Sequence, residues 1–147
     1  MALFGVLILA GLTPRNGQAQ GPPQTPPPKR ETGGLVRNYP NPFNPETWIE
    51  FTVGDYPACS EPGRRFEVTL NIYNLLRQLV AIPVLQSSGG VAGGQQINKL
   101  RLACGKYTGY WNGKYLNTRQ EVASGLYQYI LTVDGRQVAA KKMTVSK

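Results

Sequence analysis

The sequence predicts an all-β protein, a sandwich of about seven short strands. Three observations point there. Apolar residues recur at every second position over several stretches, turn residues separate these stretches at short intervals, and no stretch carries a helical period. Seventeen glycines and twelve prolines among 147 residues also suit turns and strands better than helix bundles.

Taken in order, residues 48–53 alternate, with Ile49, Phe51 and Val53 on one face. Residues 66–72 alternate more cleanly: Phe66, Val68, Leu70 and Ile72 inward, Glu67, Thr69 and Asn71 outward. Residues 79–85 are nearly all apolar, but Pro83 cannot donate to a ladder, so this strand lies at an edge or carries a bulge. A Ser/Gly loop over 87–94 leads to a strand over 97–103, with Leu100 and Leu102 on one side. An aromatic strand over 107–111 closes at Asn112-Gly113, a tight-turn dipeptide. Residues 126–133 and 137–145 flank Asp134-Gly135 and read as a terminal hairpin.

The first third of the chain has a different character. Residues 2–12 form an unbroken apolar run, well short of the roughly 20 residues a spanning helix needs. The run suits the hydrophobic region of a signal peptide, with Gln18-Ala19-Gln20 as a cleavage zone. No Lys or Arg precedes it, which leaves a retained anchor open as the alternative. Residues 1–20 are therefore assigned as a signal-like or anchor segment. Residues 21–34 follow as a Pro/Gly-rich linker, extended at about 3 Å per residue, either a spacer or a ligand for an aromatic groove. Residues 35–147 make the β-domain.

Composition narrows the chemistry. The chain has no histidine, hence no imidazole base and no histidine metal ligand, and its eight carboxylates are scattered. These absences predict a protein that is not an enzyme and holds no cofactor or metal. The net charge of +8 favours anionic partners, but the cations form only isolated pairs: Lys29-Arg30, Arg64-Arg65 and Lys141-Lys142. An exported chain would not meet nucleic acid, so none is expected as a partner. Two cysteines, Cys59 and Cys104, are expected to pair in an exported protein, stabilising it by about 4 kcal/mol on the chain-entropy model.

One segment carries a family likeness. Asn38-Tyr39-Pro40-Asn41-Pro42-Phe43-Asn44-Pro45, followed by Glu46-Thr47-Trp48-Ile49-Glu50-Phe51, resembles the opening of the C-terminal sorting domains of type IX secretion cargo. Those domains are akin to the immunoglobulin-like domain of flagellar hook-capping proteins. Residues 68–75, Trp111-Asn112-Gly113, residues 123–127 and Lys142-Met143 match the family's later marks in order. The resemblance spans residues 38–147 and implies an immunoglobulin-like sandwich. Read from the residues alone, three prolines spaced with asparagines force an extended, turn-rich entry in which Tyr39 and Phe43 are expected to pack across the mouth of the domain.

The expected role is that of an accessory or scaffolding subunit in the periplasm, docking on a larger membrane or envelope assembly, with an N-terminal membrane contact. A secretion-linked sorting module, or a binding module on the outer surface, is the alternative. Binding of carbohydrate through the tyrosine-rich strands is a further possibility. The aromatic residues Tyr107, Tyr110, Trp111 and Tyr115, with Tyr39 and Phe43 on the arm, are the candidate partner-binding residues.

Overall fold

A computed structural model of the chain describes residues 10, 11, 17, 21–26 and 31–147. The signal or anchor assignment for residues 1–20, apart from Ala10, Gly11 and Gly17, lies outside the described residues, as does Lys29-Arg30. Residues 21–26 are exposed and belong to no strand or helix.

The described residues contain nine strands and no helix: β1 (Gly33–Tyr39), β2 (Thr47–Val53), β3 (Arg65–Tyr73), β4 (Leu79–Ala81), β5 (Val84–Leu85), β6 (Leu100–Ala103), β7 (Gly105–Trp111), β8 (Gly125–Val133) and β9 (Arg136–Val145). They form two antiparallel sheets. Sheet A has the order β1-β2-β7-β5, and sheet B the order β4-β3-β8-β9 with β6 also paired to β3. The alternation read from sequence is what buries the inner faces. Ile49, Phe51 and Val53 of β2 and Phe66, Val68, Leu70 and Ile72 of β3 join Leu131, Val133 and Met143 in one core. Each such side chain contributes roughly 1.5–3 kcal/mol by leaving water.

The structure departs from the sequence-based expectation at four places. The strands number nine rather than about seven. Residues 79–85 do not make one strand: β4 belongs to sheet B and β5 to sheet A. The chain changes sheets around Pro83, which lacks an amide hydrogen and whose carbonyl instead accepts from Ile97 N at 2.9 Å. The strand expected over 97–103 begins only at Leu100, although Ile97 is fully buried and its carbonyl accepts from Leu70 N at 2.8 Å. Finally, β1 begins at Gly33, two residues inside the stretch assigned as linker, and Thr32 O already accepts from Gly54 N at 2.9 Å.

Parts of several sheet edges are covered. At β1 the register breaks between Leu35 and Arg37, and Lys141 Nζ donates to Val36 O at 2.8 Å. The end of β9 is closed by Asn41 Oδ1, which accepts from Thr144 N, and by Phe43, which bonds both Thr144 O and Ser146 N. At β5, Leu85 N donates to Gln95 O at 2.8 Å, and at β4, Leu116 N donates to Val80 O at 2.7 Å. Bulges, edge lysines and covering loops are how natural sheets avoid pairing with foreign strands.

The registers also sort the loops between two ends. Thr47 pairs with Trp111, Gly125 with Val145, and Phe43 bridges to Val145. Residues 40–46, the turn 74–78 and the loop 112–124 therefore share one end, the distal end. Thr32, the loop 54–64, Cys104 and Asp134-Gly135 lie at the other, where the chain enters the domain.

Candidate functional site

The residues that carry the family resemblance converge at the distal end. The Phe43 ring meets Trp111 edge-on at 5.3 Å, and Trp111 meets Tyr127 in the same manner at 5.9 Å. Tyr127 lies opposite Met143 in the β8–β9 ladder, and both are buried. Asn38, a buried polar residue, donates to Pro40 O and to Thr47 Oγ1, both at 3.3 Å, and so shapes the proline-rich turn. Trp111 Nε1 donates to Lys114 O at 3.0 Å, and the Tyr127 hydroxyl donates to Ala123 O at 2.7 Å.

This convergence corrects the expected binding patch. Phe43, Tyr107 and Trp111 are buried and unavailable to a partner. Tyr107 instead stacks on Phe51 at 5.8 Å and donates its hydroxyl to Ala103 O at 2.7 Å. Of Tyr39 and Phe43, both expected to pack across the mouth of the domain, Tyr39 is corrected: it is 63% exposed, whereas Phe43 is 2% exposed. Asn38 points inward, and in a strand its neighbour Tyr39 must point out.

Tyr39 and Tyr110 nonetheless share a surface. Tyr39 pairs with Trp48, Trp48 with Tyr110, and Val84 with Tyr110. Residues directly opposite in antiparallel strands point to the same face. The four side chains therefore form one row across the whole width of sheet A, on its outer face. Trp48 and Tyr110 are half-buried, with ring centroids 5.5 Å apart. The Tyr110 hydroxyl donates to Glu46 Oε2 at 2.5 Å, and this bond, with burial second, raises the phenol above its ordinary range. Arg37 lies over the Tyr39 ring at 5.8 Å and donates to Glu50 Oε2 at 2.9 Å. That bond foremost holds the Glu50 carboxyl below the usual carboxylate range.

Tyr115, the sixth candidate, belongs to a second surface. Leu75 and Leu76, 67% and 79% exposed, project from the turn after β3, and Tyr115 and Leu116 are exposed on the loop after β7. This turn and this loop meet over a cleft of about 340 Å³ lined by Asn74, Val80, Tyr115 and Tyr127. A smaller cleft of about 150 Å³ on the other side of the loop is lined by Ile82, Tyr110 and Leu116. The sequence reading missed Leu75, Leu76 and Leu116. The available signal was a Leu-Leu pair placed in a turn, beyond the end of the alternating run of β3, where no core position remains.

At the entry end Cys59 and Cys104 form a disulfide with Cα atoms 5.6 Å apart, tying the loop 54–64 to the β6–β7 junction. Arg64 pairs with Glu61 at 2.9 Å and Asp134 at 3.3 Å and lies 4.5 Å over the Phe66 ring. An open groove of about 790 Å³ runs between the first residues of β1 and of β9, lined by Leu35, Arg64, Val133 and Val138 among others. Among the described residues no group of three or more His, Cys, Asp or Glu is placed to hold a metal ion.

No family model matches the chain, and no curated protein matches it significantly. A solved structure of the Pseudomonas fluorescens alkylpurine DNA glycosylase AlkC, bound to DNA containing an abasic site analog, is similar over 79% of this chain at 12% identity, with a TM-score of 0.47. The chain spans about a third of that protein, 31% of its length. At that score the likeness carries no argument about chemistry. The expectation that this chain is not an enzyme is nonetheless withdrawn, because the ground given for it is too narrow. The missing histidine removes imidazole chemistry alone, whereas carboxylates, lysines and tyrosines can also move protons.

Proposed function

We propose that this chain is a docking module that presents its distal end to a larger membrane or envelope assembly. The observation that carries the reading is the polarity of the domain. The N-terminal arm joins at the end that holds Thr32 and the disulfide, while Leu75, Leu76, Tyr115 and Leu116 are exposed at the opposite end. A domain held by its arm at one end directs the other outward. Exposed leucines and a tyrosine beside a cleft are the anchors a protein partner buries, with the polar loops around them as rim.

An immunoglobulin-like sandwich is the finer fold proposed. Lettered in chain order with the short β4 and β6 left out, β1, β2, β5 and β7 stand as A, B, D and E, and β3, β8 and β9 as C, F and G, which matches the immunoglobulin division into two sheets. Tyr127, near the start of β8, bonds back to Ala123 O as the tyrosine corner of that fold does. These features also support kinship with the type IX sorting domains. A sorting role is the second reading, favoured by Lys142, exposed on the terminal strand beside the buried Met143.

Mild-detergent extraction of native membranes, native separation and mass spectrometry test the docking role. Co-migration of the wild type with a large assembly, lost in Leu75→Glu and Leu76→Glu variants that melt like the parent, is the expected result. Migration of the wild type as a lone chain overturns the proposal. Under the sorting reading, Lys142→Glu would instead leave the protein behind the outer membrane with the assembly unaffected.

A further inference from the structure

We infer that the outer face of sheet A binds a linear polysaccharide along the row Tyr39–Trp48–Tyr110. This surface reaches the distal loop at Tyr110, which shares the smaller cleft with Leu116, but it does not include Leu75 and Leu76. Three observations select a glycan chain as the occupant.

The first is the width of the row. The next outward positions on the same strands are Arg37, Glu50 and Thr108, which pair with one another across β1, β2 and β7. Arg37 and Lys106 both pair with Glu50, at 2.9 and 3.9 Å. The apolar strip is thus one residue wide and bordered by ion pairs. Fully exposed aromatic side chains offer about 150–250 Å² each, and two of these three are half-buried. The strip falls well short of the roughly 800 Å² per side of a stable protein interface. A second folded surface gains little there, whereas a thin polymer fits.

The second is spacing. Neighbouring strands lie about 4.8 Å apart, so the row sets one ring on each of three successive strands. A pyranose chain presents the apolar C–H face of successive sugars at comparable intervals, and stacking on aromatic rings is how such faces are held.

The third is the polar trim. A sugar ring stacked on Trp48 or Tyr110 carries hydroxyls around its rim that need partners. The Glu46 carboxylate, the Tyr110 hydroxyl bonded to it, and the Arg37 guanidinium over Tyr39 supply acceptors and donors at that level. A peptide adding itself as a strand would use a sheet edge and not this face, so it is not the competing occupant.

Affinity electrophoresis of the full chain, disulfide intact, through gels containing hydroxyethyl cellulose, xylan or a soluble β-glucan tests the inference. Hydroxyethyl cellulose and β-glucan are neutral, and the xylan is used freed of uronic acid groups, so the chain's +8 charge cannot produce the signal. Retardation in at least one gel, weakened about tenfold or more by Trp48→Ala and by Tyr39→Ala but not by Leu76→Glu, is the expected result. Tyr39→Ala keeps the test valid should Trp48→Ala fold poorly. The inference is overturned by free migration of the wild type in all three gels. It is equally overturned by unchanged retardation of folded variants. If Trp48→Ala loses the envelope assembly and no gel retards the wild type, the row serves a protein instead.

Discussion

The ring of Phe43 stands edge-on to the indole of Trp111 at 5.3 Å, joining the proline-rich turn before β2 to the end of β7. The contact turns an extended, proline-locked segment into part of the core. Phe43→Ala should therefore cost about 3–5 kcal/mol, the usual loss for truncating a buried aromatic. Tyr39→Ala, four residues earlier and exposed, should shift stability by less than about 0.5 kcal/mol. Urea unfolding of the two variants checks the pair. Similar losses in both would contradict the burial described.

Gly113 lies under the Pro45 carbonyl. A Cβ on it would come 2.1 Å from that oxygen, and its φ of +76° already disfavours any other residue. Gly113→Ala is expected to destabilise by at least about 2 kcal/mol, through backbone strain and displacement of the 40–46 turn. Thermal melting measures it. A variant as stable as the parent would show that the turn can move aside at no cost.

Replacing Cys59 and Cys104 together by alanine should lower stability by up to about 4 kcal/mol, since the bond closes a loop with a sequence separation of 45. The domain should become sensitive to reductant in the same measure. Denaturant midpoints with and without dithiothreitol give the answer, and identical midpoints would show the link adds nothing to folding.

Alkaline pH should weaken the fold. Burial pushes the Tyr129 phenol up to about 12, and it also raises Tyr107 and Tyr127. An unfolded tyrosine releases its proton near pH 10. The stabilising difference is thus fully present below about pH 10 and is lost as pH rises through about 12, because only the folded chain still holds the proton. Tyr129→Phe should lower stability near neutrality by removing the hydroxyl that donates to Asn38 Oδ1 at 3.4 Å, yet flatten the alkaline decline. Denaturant midpoints at about pH 9 and about pH 11 separate these effects. An equally steep decline in the variant would place the loss elsewhere.

The two tryptophans report on different environments. Trp111 is buried and Trp48 faces outward, half-covered. Acrylamide quenching should resolve one accessible and one protected component, and Trp48→Phe should remove the accessible one. A single uniform component would contradict the inward and outward assignment.

Alternation makes the inner faces of β2 and β3 legible in the sequence, because a strand with one wet face must repeat every second residue. The same rule places Trp48 outward, opposite in phase to Ile49. What the sequence does not disclose is tertiary. Ile97 is core without being in a strand, and Pro83 divides an apolar run between two sheets; both depend on hydrogen bonds to distant segments. The aromatic residues mislead for a related reason. Phe43, Tyr107 and Trp111 carry the chemistry of binding anchors, and only the register shows which rings point in. The aromatic row arises from pairings between residues 39, 48, 84 and 110, whose separations in the chain bear no local signature.

The partly covered sheet edges bear on life at high density. Chains fastened to a membrane or gathered on an envelope surface meet one another far more often than in solution. A β-domain with a bare margin would then grow into fibres of its own kind. Here Lys141, Asn41, Gln95 and Leu116 occupy parts of those margins, which works against such pairing. Under the docking proposal, copy number and arrangement would then be set by whatever receives the domain and not by strand pairing between copies.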